Sequence, residues 1–268
     1  MKIGVIGNAA KIKDENVIKT LVIALNKAGY DVVCFPSHSA IEGVDLVIVL
    51  GGDGAILHAG AVAAPQNIPI IGINYGNVGF LTELEKERLL DVVPLIQSYE
   101  KRECKILTRS LLEVHVDGDV YYALNEVAIQ RDYATGLHSN PQILKIRLHT
   151  ESGNIPISGD GALLATPTGS TAYSLSAGGA IVAPEVPVFM LTPICAFSMS
   201  ARPMVFSDKD EFAFSIEKGR GLLLVDGKAV ATLAEGDSIK ARKAPFAAKF
   251  PTKNEKKFFI KIKNKLNG

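Results

Sequence analysis

The chain has 268 residues, of which 47% are apolar and 21% are charged, so it is long enough for one large or two small folded domains and too apolar to be disordered. Its formal net charge is only +1, so we expect neither nucleic acid nor an anionic membrane as a partner. Three widely spaced cysteines form no C-x-x-C pair, which argues against structural zinc and a disulfide framework, and without a signal-like or membrane-spanning apolar run the sequence predicts a cytoplasmic protein.

The first ~100 residues alternate between short apolar strands and helical patterns, which predicts a Rossmann-like α/β domain with a parallel sheet. Residues 44–50 and 68–73 are almost entirely apolar and rich in β-branched side chains, as is typical of strands buried on both faces of such a sheet. Further strands are predicted at residues 3–6 and 31–35, and helices at residues 16–28, 55–64 and 83–98, the last interrupted near Pro94.

After Lys101 the pattern changes to strand-like runs separated by turns, which predicts a second, mostly β domain. The basic tail alternates Phe258, Ile260 and Ile262 with lysines, which favours a half-exposed strand with a charged face over a nucleic-acid patch. We expect domains at 1–100 and 101–250, and a segment 251–268 that packs back on the first domain. The predicted strands lie at residues 111–116, 120–130, 143–149, 212–216 and 222–225.

A glycine-rich turn with one carboxylate, Gly51-Gly52-Asp53-Gly54, follows the apolar run at residues 44–50. Ligands of open α/β sheets bind beyond the carboxyl ends of the strands, and glycines there let backbone N–H groups approach phosphate oxygens. Asp53 could accept a proton from an attacking hydroxyl or hold a bridging metal, so the turn predicts phosphoryl transfer. The alternative is a tight turn in which Asp53 only caps the helix. The sequence lacks both G-x-x-x-x-G-K-[ST] and a complete G-x-G-x-x-G after a strand, which argues against a P-loop kinase and an ordinary Rossmann dehydrogenase.

Two further groups of residues suit a nucleotide. The loop at residues 74–81 follows the next buried strand, so we expect it at the same sheet edge as Asp53, with Phe80 stacked on a flat ring such as adenine or else plugging the core. The pair Asn125-Glu126 interrupts a strand-like stretch, and an amide with a carboxylate can read an amino group and ribose hydroxyls. The alternative for this pair is an exposed polar strand face.

Residues 159–173 are the segment richest in hydroxyls and glycines. A short apolar strand leads into a Thr-, Ser- and Gly-rich turn, and a helix is predicted from near Thr171 to Gly178-Gly179. Hydroxyls and free N–H groups at the start of a helix can bind an anion or a ribose, although such a turn can also be purely structural.

Together these residues resemble the NAD kinase family, in the same order, from the first strand to about Lys228. The Asn125-Glu126 pair and residues 166–173 are the specific parts, whereas the Gly-Gly-Asp-Gly turn is shared with phosphofructokinases and diacylglycerol kinases. The resemblance implies an α/β N-terminal domain and a β-rich, sandwich-like C-terminal domain that supplies most of the NAD site. It also implies transfer of the terminal phosphoryl group of ATP, or of polyphosphate in some members, to the 2′-hydroxyl of the adenosine ribose of NAD, by a homodimer or homotetramer.

The resemblance also implies roles for single residues. Asp53 matches the proton acceptor, and Gly51, Gly52 and Gly54 match the loop that receives the phosphate donor. No residue is assigned as a metal ligand, and the scarcity of Lys and Arg near the motifs implies that Mg²⁺ or another divalent cation supplies positive charge. The positions implied to bind NAD are Asp53, Gly54, His58, Phe80, Asn125, Glu126, Asp160, Thr168, Thr171, Ala172, Tyr173, Ser176 and Lys228, with Phe80 beside the adenine.

Three positions depart from the family pattern. Ala55 replaces the usual Thr, Asn or Ser, so a hydroxyl near the phosphates is missing. Ala196-Phe197 replaces a common Pro-His, which removes a histidine contact. Lys228 replaces the Gln of a common Asp-Gly-Gln, so this side chain cannot accept a hydrogen bond but can neutralise a phosphate. The shared turn leaves open a lipid or sugar kinase, and the departures permit a non-catalytic dinucleotide-binding module.

Overall fold

The computed structural model describes residues 1–7, 16–76, 79–133, 143–198, 201–253 and 257–266. The chain forms two compact units, one of Met1–Thr108 with Phe246–Gly268 and the other of Arg109–Pro245. The domain limits placed at residues 100 and 250 from the sequence stay predictions. In the part of the chain that the structure describes, no helix is long and apolar enough to cross a membrane.

The first unit contains the predicted parallel sheet. Its strands run in the spatial order β2-β1-β3-β4-β5, and every residue of the third and fourth is buried, as expected for strands covered on both faces. The α/β prediction is therefore confirmed. The strands are β1 (Lys2–Gly7), β2 (Asp31–Cys34), β3 (Leu46–Gly51), β4 (Ile70–Asn74) and β5 (Leu84–Glu85), and the helices are α1 (Asn16–Lys27), α2 (Asp53–Ala63) and α3 (Val92–Glu100).

The helix predicted at residues 83–98 is wrong in its first half. Leu84–Glu85 extends the sheet, Lys86–Asp91 forms a 3-10 helix, and the regular helix α3 begins only at Val92. Pro94 thus lies in the first turn of α3, where the N–H group that proline lacks is not needed. The predicted helix is therefore interrupted before Pro94, at the junction between the 3-10 helix and α3.

The remaining strands form antiparallel sheets, in the orders β10-β9-β14-β17-β6-β7 and β13-β12-β11-β8-β15-β16. Leu112 and Phe214 from the first sheet share a buried core with Ile129 and Leu164 from the second, which confirms the β-rich, sandwich-like prediction. The strands are β6 (Lys105–Val116), β7 (Asp119–Ala123), β8 (Glu126–Arg131), β9 (Leu144–Thr150), β10 (Gly153–Gly159), β11 (Gly161–Ala165), β12 (Val188–Ile194), β13 (Met204–Ser207), β14 (Phe212–Lys218), β15 (Gly221–Val225), β16 (Lys228–Leu233) and β17 (Ser238–Thr252), with the short helix α4 (Tyr173–Ser176) after β11.

The single strand predicted at residues 120–130 is wrong, because the chain changes sheets at Leu124 and Asn125. The strand β7 before this point pairs with β6, and the strand β8 after it pairs with β11 and β15 in the other sheet. The Asn125-Glu126 pair therefore sits at a crossing between sheets, where ladder pairing stops.

The basic C-terminal segment, predicted as a strand, is the helix α5 (Lys257–Leu266). Phe258, Lys261 and Ile262 are half-buried while Phe259 is 72% exposed, so burial follows the three- and four-residue spacing of a helix. The period-two alternation of apolar residues and lysines misled the prediction, because in this segment it coincides with an amphipathic helical pattern.

Candidate active site

The turn after β3 brings a carboxylate to the start of a helix. The strand ends at Gly51, Gly52 is the N-cap residue in an extended conformation, and α2 begins at Asp53. Asp53 therefore belongs to the first helical turn and is not the helix cap that the purely structural alternative requires. Its carboxylate lies at the positively polarised end of α2 and at the carboxyl end of a central strand, where ligands of α/β folds bind.

A loop from the neighbouring strand holds the Asp53 carboxylate. The N–H group of Phe80 donates to Oδ2 of Asp53 at 2.8 Å, and that of Leu81 donates to Oδ1 at 3.0 Å. Gly79 approaches so closely that a Cβ atom on it would lie 2.2 Å from Oδ1. The expectation that the loop after β4 lies beside Asp53 is confirmed for these residues, while residues 77–78 lie outside the described part of the chain.

The glycines of the turn differ in what the fold requires of them. A Cβ atom on Gly52 or Gly54 would meet no atom within 4 Å, and neither residue has a positive φ. Nothing in the described chain therefore demands glycine there, which leaves close approach of a ligand as a reason for it. By contrast, a Cβ atom on Gly51 would lie 2.7 Å from the Cβ atom of Ala55, so this glycine fits against the residue that departs from the family pattern.

Two aromatic residues that the resemblance assigns to NAD, His58 and Phe80, belong to the first unit. His58 is exposed on α2, and its ring centroid lies 5.9 Å from that of His38. Burial, and secondarily the charge of His58, lowers the pKa of His38, which favours its neutral form. Phe80 is half-buried, with its ring centroid 6.2 Å from that of Phe258 in α5. Phe80 thus packs on the protein through the α5 contact and remains partly exposed.

The second unit has its own polar cluster, at the crossing between sheets. Asn125 and Glu126 are 9% and 6% exposed, so the alternative of an exposed polar strand face is wrong. The carbonyl of Asn125 accepts the N–H of Thr166 at 2.8 Å, and the Thr166 hydroxyl donates to the Leu124 carbonyl at 2.6 Å. A Cβ atom on Gly169 would lie 2.2 Å from the Asn125 carbonyl oxygen. The hydroxyl-rich turn and the Asn-Glu pair therefore form one structure.

Asp226, absent from the residues assigned from the sequence, organises this cluster. Its carboxylate accepts the N–H groups of Leu124 at 2.8 Å, Asn125 at 2.8 Å and Glu126 at 3.1 Å. Asp226 and Gly227 have φ angles of 47° and 77° and join β15 to β16 as a two-residue hairpin turn. An Asp-Gly pair is the sequence signal for such a turn, but no sequence signal indicates where its carboxylate points.

Glu126 combines burial with a nearby negative charge. Burial, followed by the charge of Asp226, raises the pKa of Glu126 to about 8, although a backbone hydrogen bond from Tyr173 acts in the opposite direction. At neutral pH the carboxyl group is therefore mostly protonated and can donate as well as accept a hydrogen bond. Its Oε2 atom is buried and has no hydrogen-bond partner among the described residues. Such an atom is costly unless a ligand or water satisfies it.

Some hydroxyls of the glycine-rich turn serve the fold. The Ser170 hydroxyl donates to the Pro167 carbonyl at 2.6 Å, and Ser174 shares a 3.0 Å hydrogen bond with Thr192. Both serines are fully buried. These contacts fix the shape of the turn, so part of its hydroxyl content has the structural role that the alternative interpretation proposed.

The residues of this turn that are assigned to NAD are neighbours of the two buried serines in the sequence. Thr168 is buried, Thr171, Ala172 and Tyr173 are half-buried, and Ser176 is exposed. The helix predicted from near Thr171 to Gly178-Gly179 is present but shorter, as α4 (Tyr173–Ser176), because Ala172 (φ −109°, ψ −128°) separates it from the 3-10 turn Thr168–Thr171. The Tyr173 hydroxyl accepts a hydrogen bond from the Gln130 side chain, which directs the phenol ring.

Three other positions singled out in the sequence lie outside this cluster of contacts. Asp160 and Lys228 are implied to bind NAD, and Phe197 departs from the family pattern. Asp160 forms an ion pair with Arg131 at 3.0 Å, so a ligand there would share the carboxylate with a guanidinium. Lys228 is exposed directly after the hairpin turn, and Phe197 is 74% exposed. Nowhere in the described ranges do three or more His, Cys, Asp or Glu side chains come together in a way that could hold a metal ion.

Family models match both halves of the chain. Residues 24–101 match the ATP-NAD kinase N-terminal domain, and residues 124–252 match the ATP-NAD kinase C-terminal domain. The chain is 37% identical to the NAD kinase of Carboxydothermus hydrogenoformans, over 84% of this chain and 80% of that protein. It is 31% identical to the NAD kinase of Caldicellulosiruptor saccharolyticus, over 99% of both chains.

Solved structures agree with these relatives. The chain superposes on yeast NADH kinase complexed with NADH with a TM-score of 0.85 and 25% identity, over 100% of this chain and 87% of that one. It superposes on an NAD kinase from Archaeoglobus fulgidus in complex with ATP with a TM-score of 0.78 and 30% identity, over 98% of this chain and 99% of that one.

Proposed function

Because the chain belongs to the NAD kinase family and is a kinase of NAD, we propose that it transfers the terminal phosphoryl group of ATP to the 2′-hydroxyl of the adenosine ribose, giving NADP. The observation that carries the site assignment is the Asp53 carboxylate, held by two N–H groups at the end of a buried strand. That is the place where α/β folds bind phosphorylated ligands.

Asp53 is the proton acceptor in this proposal. A ribose hydroxyl is a weak nucleophile, and phosphoryl transfer through a loose transition state depends mainly on position and charge. Hydrogen bonds from Phe80 and Leu81 fix the direction of the Asp53 carboxylate. A carboxylate oxygen can accept more than one hydrogen bond, so bonds of this kind orient a base without neutralising it.

The phosphate donor is assigned to the turn formed by Gly51, Gly52 and Gly54. The open space beside Gly52 and Gly54 admits phosphate oxygens close to the backbone, and the start of α2 supplies partial positive charge. Mg²⁺ usually keeps water ligands and is held by one or two carboxylates together with substrate phosphates. Because Asp53 acts as the base in this proposal, the donor phosphates and water would supply the ligands of the ion. When bound, the ion neutralises phosphate charge.

We assign NAD binding to the residues that the family resemblance implies. Asn125 and the mostly protonated Glu126 offer buried amide and carboxyl groups, and the Oε2 atom of Glu126 would gain a partner from a ribose hydroxyl. The complex of yeast NADH kinase with NADH supports a dinucleotide as ligand. The other proposed contacts are Asp53, Gly54, His58, Phe80, Asp160, Thr168, Thr171, Ala172, Tyr173, Ser176 and Lys228.

Other features of the proposal come from the family resemblance. We propose a cytoplasmic homodimer or homotetramer that uses Mg²⁺ or another divalent cation, with polyphosphate as the other possible donor. Lipid and sugar kinases and a non-catalytic binding module are not favoured, because the relatives described above are NAD or NADH kinases.

The test is a coupled assay of the purified chain. NAD, ATP and Mg²⁺ are incubated with the protein, and an NADP-specific dehydrogenase measures the product, which distinguishes a 2′-phosphate from a 3′-phosphate. Parallel reactions replace ATP with polyphosphate. In separate reactions with ATP, diacylglycerol or fructose 6-phosphate replaces NAD, and the release of ADP is measured. NADP formation with ATP supports the proposal. NAD binding without product from either donor would contradict it.

A further inference from the structure

The C-terminal helix contacts the loop that holds Asp53. Lys261 of α5 donates hydrogen bonds from Nζ to the carbonyl of Phe80 at 2.9 Å and to the carbonyl of Thr82 at 2.7 Å. Lys261 is half-buried, on the same helix face as Phe258, whose ring packs against that of Phe80. A charged side chain that is partly desolvated and bonds two carbonyls forms stronger hydrogen bonds than a neutral donor would.

One peptide group joins Lys261 to the carboxylate. The carbonyl of Phe80 and the N–H of Leu81 belong to the same peptide bond, so Lys261 binds its oxygen while Oδ1 of Asp53 binds its hydrogen. A peptide bond is planar, which fixes the two hydrogen bonds relative to each other. Hydrogen bonds in such a chain also polarise one another. The bond from Lys261 to the Phe80 carbonyl therefore strengthens the hydrogen bond that the Leu81 N–H donates to Asp53.

The other contact of Lys261 fixes the end of the same short loop. Thr82 is 3% exposed, and its carbonyl is the second acceptor. The loop is thus held on one side by the Asp53 carboxylate and on the other by the Lys261 ammonium. Gly79 contributes no side chain that could anchor the loop in another way.

We propose that Lys261 is a positioning residue for phosphoryl transfer, which acts through the Phe80–Leu81 peptide group to hold the Asp53 carboxylate in its reactive direction. The inference rests on the proposed role of Asp53 as proton acceptor. It assigns to the basic C-terminal helix a part in the reaction that is transmitted through the backbone of the loop.

The experiment compares variants of the full chain. Lys261→Met keeps the length and apolar stem of the side chain, and with them the packing of α5, but removes the charge and the donors. Lys261→Arg keeps both. Lys263→Met is the matched control, because Lys263 is exposed on the same helix. Hydrogen–deuterium exchange is measured for peptides that contain Phe80 and Leu81, together with kcat, KM for NAD and the melting temperature.

For Lys261→Met we expect exchange at Phe80 and Leu81 to rise about tenfold and kcat to fall about tenfold, with KM nearly unchanged and the melting temperature lowered by only a few degrees. Lys261→Arg should recover most of both changes, and Lys263→Met should match the wild type. Unchanged exchange in Lys261→Met would overturn the contact with the loop, and faster exchange at unchanged kcat would overturn the positioning role. If the wild-type chain forms no NADP, the proposed function fails, while the exchange measurement still decides whether Lys261 holds the loop.

Discussion

The backbone N–H of Asn125 donates a 2.8 Å hydrogen bond to Oδ1 of Asp226, across 101 positions of the sequence. The same carboxylate accepts the N–H groups of the residues on either side of Asn125. A crossing between sheets leaves backbone groups without ladder partners, and buried N–H groups of this kind need acceptors. The Asp226 carboxylate therefore supplies the acceptors that a neighbouring strand would otherwise provide, and it holds the Asn-Glu pair in one conformation.

Asp226→Asn should disturb this crossing without changing the size of the side chain. An amide NH₂ group placed toward an N–H donor cannot accept from it, so we expect unfolding to become easier by about 2 kcal/mol and the melting temperature to fall by about 5 °C. KM for NAD should rise about tenfold because the pair loses its fixed geometry. Thermal unfolding and steady-state kinetics measure both.

Asp237→Asn is the matched control for this change. Asp237 also accepts a backbone N–H, from Ala234 at 2.7 Å, but in an exposed turn of the same unit away from the pair. This variant should change KM for NAD less than twofold. Equal effects of the two variants on KM would refute a special role for Asp226.

Gly79→Ala should displace the carboxylate of Asp53. The added Cβ atom would lie 2.2 Å from Oδ1 and 2.9 Å from Cγ of Asp53, distances at which one of the groups must move. We expect kcat to fall about a hundredfold while the protein stays folded. Gly76→Ala is the control, because its Cβ atom would meet only Asn74 Oδ1 at 3.9 Å, an ordinary contact. Near-normal turnover of Gly79→Ala would show that Asp53 does not need its present position.

Glu126→Gln should change how stability depends on pH. The folded chain keeps the Glu126 proton up to a pKa of about 8, whereas the unfolded chain releases it near the ordinary value of 4.5. Between these values the unfolded state binds fewer protons, so this group lowers the free energy of unfolding as pH rises, by a total of about 5 kcal/mol. Gln does not titrate, and the variant should lose this part of the pH dependence.

Melting temperatures of both proteins at pH 5, 6.5 and 8.5 test this expectation. The gain in stability from Glu126→Gln should be largest at pH 8.5 and smallest at pH 5. Glu235→Gln, at an exposed position in the same unit, removes the same formal charge and serves as the control. A difference between wild type and Glu126→Gln that stays constant with pH would show that the carboxyl group ionises normally in the folded chain.

Asp53→Asn tests the proposed base directly. The amide keeps the size of the side chain but cannot take the proton of the ribose hydroxyl, so kcat should fall by about a thousandfold or more with little change in NAD binding. Asp45→Asn is the control, because Asp45 is exposed in the same unit and its carboxylate accepts the backbone N–H of Lys2. The coupled NADP assay and isothermal titration with NAD separate turnover from binding.

The sequence predicts those parts of the fold in which the spacing of apolar residues fits only one kind of secondary structure. The apolar runs that became β3 and β4 predict buried parallel strands because strands covered on both faces are almost entirely apolar and rich in β-branched residues. The resemblance to the NAD kinase family is confirmed by the family models and relatives. The spacing of apolar residues does not decide between helix and strand in α5. Phe258 and Ile262 are four positions apart, which fits both the two-residue repeat of a strand and the four-residue spacing of a helix.

Some residues of the candidate site could likewise be predicted from the sequence, and others could not. Asp53 stands out because it lies in a glycine-rich turn directly after an apolar run, and the Asn125-Glu126 pair because it interrupts a strand-like stretch. A sequence displays both patterns directly. The roles of Asp226 and Lys261 depend on contacts with residues far away in the chain, and no local pattern encodes such a contact. The protonated state of Glu126 likewise comes from burial and from Asp226, neither of which can be derived from its neighbours in sequence.

The first unit is discontinuous in sequence, since it consists of Met1–Thr108 and Phe246–Gly268 with the whole second unit between them. On a ribosome, the residues of the second unit are therefore synthesised before the first unit has all of its parts. A nascent chain that has reached residue 245 already contains Asp53 and its loop but lacks the helix that carries Lys261. During translation, the second unit can fold first as a continuous segment, and completion of the proposed phosphoryl-transfer site is delayed until Phe246–Gly268 has emerged.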